Sequence, residues 1–391
     1  MKNIQFFRDF SLSALIAGFI TVLVGFTSSA VFIMQAAQGL GASSAEISSW
    51  FWAFGLGIGL SGLALSLYYK LPIATAWSTP GAAVLIASSA GVSLNQAIGA
   101  FLVCGLLIML AGFSGLFARI SRYIPTTLAS AMLAGLLLKF GLNIFTAIPA
   151  NPLLVLGMCT VYLLSKRLLS RYAILLTLLL GAGIAFIQGH FSLPAIPLSL
   201  TKPVFTAPEW SLSVMIGLGI PLFIVTMTSQ NVPGIAMIQA AGYKAPVSAA
   251  TGLTGVATVI FAPFGAFAIS LAAITAAICL GEEAHADKQR RYVAAVCAAV
   301  FYVLIGLFGA SVTALFTAFP QALITTLAGL ALFATISQGL GNAFKDENQR
   351  EPALITFLIT ASGVSFFALS APFWGLLAGI FSHWVLTASK K

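Results

Sequence analysis

The chain alternates between long apolar runs and short breaks made of charged residues, proline or glycine. Uninterrupted runs of roughly membrane-crossing length fall at 12–37, 46–68, 95–117, 124–144, 152–166 and 172–189, and again at 211–241, 246–262, 290–312, 319–341, 352–367 and 371–388. Two more, 71–90 and 263–281, have the length of a span but are broken inside by Pro and Gly. Together they make fourteen segments, seven on each side of the longest link, residues 191–210. The pattern predicts an all-α polytopic membrane protein, with residues 1–190 and 211–391 as its two halves.

Seven is an odd number, so the second half must cross the membrane in the opposite sense to the first, as an inverted repeat. Matching motifs support this. Ile124-Pro125 leads into Leu133-Ala134-Gly135-Leu136, and Phe319-Pro320 leads into Leu327-Ala328-Gly329-Leu330, 194 or 195 residues on. Thr27-Ser28-Ser29 in the first segment is echoed by Thr228-Ser229-Gln230 in the eighth.

Composition agrees: the 391 residues are 60% hydrophobic and 7% charged, against about 25% charged in soluble domains. The net charge of +9 raises the question of nucleic acid. Placement answers it. With the N-terminus inside, all 18 basic residues except Lys139 and Lys202 fall on the inner side. One span more or fewer would destroy that pattern. The charge is therefore a topology signal, with both termini cytoplasmic and no nucleic-acid partner. The N-terminal run continues through Val31 to Met34, so it is a retained span rather than a cleaved leader.

The acids fall at segment ends. Glu46 closes Ser43-x-x-Glu46, a capping box. No carboxylate falls clearly at mid-span. The four cysteines are scattered singly, with no CxxC spacing. No metal, cofactor or disulfide is expected, and no nucleophile–base set or paired intramembrane acids point to an enzyme.

The chemistry concentrates at the breaks. "ATAWSTPGAAVL" puts Trp77-Ser78-Thr79-Pro80-Gly81 at membrane depth. Pro80 lacks a donor, which costs nothing in a first helical turn, and Ser78 or Thr79 can cap that turn. An extended chain to Ser78 followed by a helix over Thr79–Ala90, about 18 Å long, gives a half-helix starting near the midplane. Its counterpart is expected at Phe267-Ala268-Ile269-Ser270, with Ser270 starting a second half-helix from the other side. Two helix N-termini then face each other and suit an anion. A single kinked helix with Pro80 absorbed by its neighbours is the alternative. The eighth segment is the most polar, and Gln230 and Asn231 offer uncharged donors and acceptors, either to a substrate or as glue between helices. Ser28 and Ser29 carry the same two readings. Trp77 and Phe267 are the aromatic residues at the breaks. Lys139, inside the fifth segment, is a snorkelling anchor or a charge on an anion path.

The motifs "WSTPGAA", "SQNVPGIAMIQAAGY" and "AITAAICLGEEAHADKQRR" together resemble the BenE-type benzoate:proton symporters, over essentially the whole chain. That family is related to nucleobase–ascorbate and sulfate-permease-type transporters. The resemblance implies a core domain (12–117 and 211–312), a gate domain (124–189 and 319–388), substrate bound between them at the two breaks, and possible dimerisation through the gate. It also implies an inner-membrane carrier of a small organic anion such as benzoate, proton-coupled and moving as an elevator. The sequence departs from the nucleobase members, whose acids in segments 8 and 10 are replaced here by neutral residues. A nucleobase carrier, an uncoupled uniporter or exchanger, and an anion channel remain the alternatives. If a proton is carried, it rides on the substrate carboxylate or on a peripheral group such as Glu46.

Overall fold

The computed structural model describes residues 8–89, 91–121, 125–169, 172–189, 200–309, 319–364 and 371–388. Lys2, Arg122, Ile124, Arg171, His190, Lys390 and Lys391, and residues 191–199 of the link, lie outside the described residues, as does the side chain of Ser28.

The helices follow the apolar runs. They are α1 (Leu12–Gly39), α2 (Ser44–Tyr69), α3 (Thr79–Ser88), α4 (Leu94–Phe113), α5 (Thr126–Thr146), α6 (Pro152–Leu168) and α7 (Ala173–Ile187). They continue with α8 (Leu212–Ala240), α9 (Val247–Phe261), α10 (Ala276–Leu280), α11 (Tyr292–Leu307), α12 (Gln321–Ala343), α13 (Arg350–Ser362) and α14 (Ala371–Ala388). Among the described residues, seven helices are long and apolar enough to cross a membrane.

Their ends are set by local chemistry. Ser43 and Glu46 form the expected capping box on α2, with the Ser43 N–H donating to Glu46 Oε2 at 2.7 Å. Ser93 and Gln96 do the same for α4. Helix α8 holds two π-helical turns, Met215–Gly219 and Met227–Asn231, each followed within two residues by a proline. Pro233 has no N–H for the Ser229 carbonyl, and the Val232 N–H reaches back five residues to Met227 O. The wider turn re-aims Gln230 and Asn231.

Helices α1 and α2 pack along α11, and α4 packs along α9. Backbones come close where both sides are small: a Cβ on Gly55 would sit 2.6 Å from the Tyr302 carbonyl oxygen. Helices α5, α12, α13 and α14 pack against one another, and α6 pairs with α7. The two sets meet where α8 touches α5 and where α1 and α10 touch α12.

Two strands cross at the centre. β1 (Thr75–Trp77) pairs antiparallel with β2 (Ile269–Leu271), with Ala76 opposite Ser270. α3 begins as expected, with Ser78 as N-cap, its Oγ accepting from Gly81 N at 3.0 Å, and Pro80 in the first turn. The second break corrects the sequence reading. Ser270 does not start a helix; it lies in β2, and α10 begins only at Ala276 and runs for 5 residues. The ladder explains the delay. Leu271 N donates to Asn231 Oδ1 and Ala272 N to Ala74 O, both at 2.9 Å, so the chain stays extended past the serine. Two bends on the way in are sharp. Gly265 has φ +102, with the Trp50 indole filling the space a side chain would need, and Ala268 has φ +45.

Candidate functional site

The strands and the two short helices end at a cavity of about 440 Å³, its open mouth included. Only about 60 Å³ of it can be reached by the centres of water molecules, enough for a few waters. Its walls come from α1 (Val24, Gly25, Ser29), the first break (Ala76, Trp77, Thr79), α5 (Phe140), α8 (Gln230), the second break (Ala272 to Thr275) and α11 (Tyr302). None of these side chains carries a charge.

Trp77 is the best-anchored wall. It is 4% exposed, and its Nε1 donates to Ser29 Oγ at 2.8 Å. Ser29 Oγ in turn donates to Gly25 O at 2.7 Å. The indole stands edge-on to Phe26, Phe54 and Tyr302 at centroid distances of 5.7, 5.6 and 6.2 Å. Both groups of the pair are therefore held in place before anything binds. Gln230 lines the cavity at 9% exposure, and among the described residues its amide has no protein partner.

The remaining residues singled out from the sequence act from behind the walls. Ser78 is fully buried, its hydroxyl taken by Gly81 N and Thr226 Oγ1. Pro80 is half-buried in the first turn of α3. A Cβ on Gly81 would meet Leu222 Cδ1 at 2.8 Å, so this glycine serves packing against α8. Asn231 is fully buried, and both ends of its amide are spent on protein: Oδ1 on Leu271 N, and Nδ2 on Met227 Sδ at 3.1 Å. Phe267 sits in an aromatic cluster with Trp50, Phe54 and Phe101. Ala268, Ile269 and Ser270 are fully buried. Ile269 N donates to Thr258 Oγ1 at 2.9 Å, and Ser270 Oγ donates to Ala76 O at 3.3 Å. Lys139 is exposed and does not line the cavity, although its neighbour Phe140 does. Glu46 is half-buried in its capping box.

The two breaks offer unequal donors. In α3 the cap takes most of the first turn and leaves only the Thr79 N–H without a protein acceptor among the described residues: Gly81 N bonds Ser78 Oγ, Ala82 N bonds Ser78 O, and Pro80 has no N–H. At the second break, among the described residues, no protein acceptor meets the N–H groups of Ala273, Ile274, Thr275 or Ala276. Free donors at a cavity wall are suited to an anion or a polar acceptor. The sequence reading missed Val24, Gly25, Phe140, Thr275 and Tyr302. For Tyr302 the available signal was a hydroxyl in an otherwise apolar span.

Residues 8–385 match the family described as "Benzoate membrane transport protein". The chain belongs to this family. The benzoate membrane transport proteins are membrane carriers rather than enzymes, and this chain is one of them. A relative named "Inner membrane protein YdcO" from Escherichia coli (strain K12) is 46% identical over 365 residues, 93% of each chain. The "Benzoate membrane transport protein" of Acinetobacter baylyi (strain ATCC 33305 / BD413 / ADP1) is 39% identical over 383 residues, covering 98% of this chain and 97% of that one. Among solved structures, SLC26A9 superposes with a TM-score of 0.55 at 14% identity, over 98% of this chain and 66% of that longer one. The transmembrane domain of the cyanobacterium bicarbonate transporter BicA gives 0.51 at 14% identity, over 94% of this chain and 97% of that domain. At such identities the likeness establishes the fold alone.

Proposed function

We propose that this protein is a secondary transporter of the bacterial inner membrane that carries a small aromatic carboxylate, such as benzoate, through the cavity at the two breaks. The observation that carries this reading is the cavity itself: its described side chains are uncharged, Trp77, Phe140 and Tyr302 wall it, and the lining residues Ala273, Ile274 and Thr275 have backbone N–H groups with no protein acceptor among the described residues. The aromatic walls suit the ring, and the donors suit the carboxylate. The family and the printed name of the Acinetobacter baylyi relative support the substrate class.

The finer picture extends the same reading. Fourteen segments form a seven-plus-seven inverted repeat with both termini cytoplasmic. A core of 12–117 and 211–312 slides as an elevator against a gate of 124–189 and 319–388, and the gates pair two copies. The division is supported by helix packing, since α1, α2 and α11 form one set and α5, α12, α13 and α14 another. Among the described residues no acid or histidine lines the cavity, which favours a coupled proton that travels on the substrate carboxylate over one held by the cavity wall.

The test is uptake of labelled benzoate into proteoliposomes, with and without an imposed pH gradient, alongside binding of benzoate and uracil to the purified protein. Gradient-driven benzoate accumulation is expected. Uptake that ignores the gradient would make the protein a uniporter or exchanger. Uracil binding without benzoate binding would make it a nucleobase carrier. Flux far above a carrier's turnover would make it a channel.

A further inference from the structure

Tyr302 projects from α11 into the cavity, 3% exposed. Its ring stands edge-on to Trp77, and its hydroxyl reaches across to α1, where a Cβ on Gly25 would lie 2.6 Å from the Tyr302 oxygen. Among the described residues that hydroxyl has no protein partner. Two other tyrosines show the usual arrangement: Tyr292 donates to Asp9 Oδ2 and Tyr243 to Lys288 O, both at 2.8 Å. Buried phenols normally find an acceptor. Trp77 spends its only donor on Ser29, so the Tyr302 hydroxyl is a wall donor left over for whatever enters. Gly25 keeps the space in front of it clear.

We infer that Tyr302 contacts the substrate and sets its specificity, its hydroxyl donating a hydrogen bond to the substrate carboxylate while its ring and the Trp77 indole flank the aromatic ring. This rests on the reading that the substrate is an aromatic carboxylate. The neutral hydroxyl binds the anion without fixing a positive charge in the membrane, which suits a site that must also release its cargo.

The experiment titrates benzoate into purified wild type, Tyr302→Phe and Tyr302→Leu, and records the melting temperature of each without ligand. Tyr302→Phe removes only the hydroxyl, which packs beside Gly25 but makes no protein hydrogen bond among the described residues. Expected are an unchanged ligand-free melting temperature and a loss of benzoate affinity of about tenfold or more, the size of a bond to a charged acceptor. Tyr302→Leu, which loses the ring as well, should bind weaker still. Affinity of Tyr302→Phe within about threefold of wild type, about half of a tenfold step in free energy, overturns the inference. So does a loss of affinity accompanied by a clear fall in the ligand-free melting temperature, because the hydroxyl would then be structural. Failure of wild type itself to bind benzoate overturns the proposed substrate, and this inference with it.

Discussion

Asn231 Oδ1 accepts the backbone N–H of Leu271 at 2.9 Å, across 40 residues of chain. A buried amide on α8 thus holds the strand from which the second break is built. Asn231→Ala leaves that N–H without a partner, at a cost of about 1–3 kcal/mol. The expected result is a lower ligand-free melting temperature together with weakened benzoate binding. A variant as stable as wild type that still loses binding would mean that Asn231 touches the substrate directly.

Lys166, in the last turn of α6, forms an ion pair with Glu283, in the segment after α10. The contact joins the two helix sets that the proposed elevator moves past one another. A Lys166→Cys/Glu283→Cys pair, on a Cys159→Ser background, should be bridged by a disulfide-containing bifunctional thiol reagent and stop uptake while benzoate binding persists. Reduction should restore transport. Full-rate uptake by the cross-linked protein would show that this contact does not change during transport.

Lys139 is exposed on α5, while its neighbour Phe140 faces the cavity. Lys139→Met is expected to leave benzoate affinity within about threefold of wild type, as for a snorkelling anchor. A tenfold loss would place its charge on the anion path.

Glu46 spends one carboxylate oxygen on the Ser43 N–H and the Ser43 hydroxyl, both at 2.7 Å. Glutamine can fill the same capping role. Glu46→Gln should therefore fold normally and keep pH-driven uptake in proteoliposomes. Lost accumulation with surviving exchange of labelled for unlabelled substrate would identify Glu46 as the coupling acid.

The segment pattern was legible because bilayer thickness and the cost of buried charge act on every stretch of chain separately. The first break was legible for a similar reason, since Ser78 and Pro80 write a helix start into adjacent positions. The second break was not. Ser270 resembles a cap, but the start of α10 is decided by Asn231 and Ala74, partners far away in sequence. Asn231 itself reads as a substrate ligand until the strand that occupies it is in view. Phe140 and Tyr302 look like ordinary span residues, and only the packing of α5 and α11 turns them toward the cavity.

The β1–β2 ladder also has a consequence for biosynthesis. Ala76 and Ser270 are 194 residues apart, which at about 5–20 residues per second is on the order of ten to forty seconds of translation. Until β2 is made, β1 has no strand to pair with, and bare backbone at membrane depth is costly. Helix α2 gives partial shelter: Thr75 Oγ1 donates to Ile58 O at 2.7 Å, and Ser66 Oγ donates to Ile73 O at 2.9 Å. A nascent chain stalled before residue 269 would lack the strand that pairs with β1.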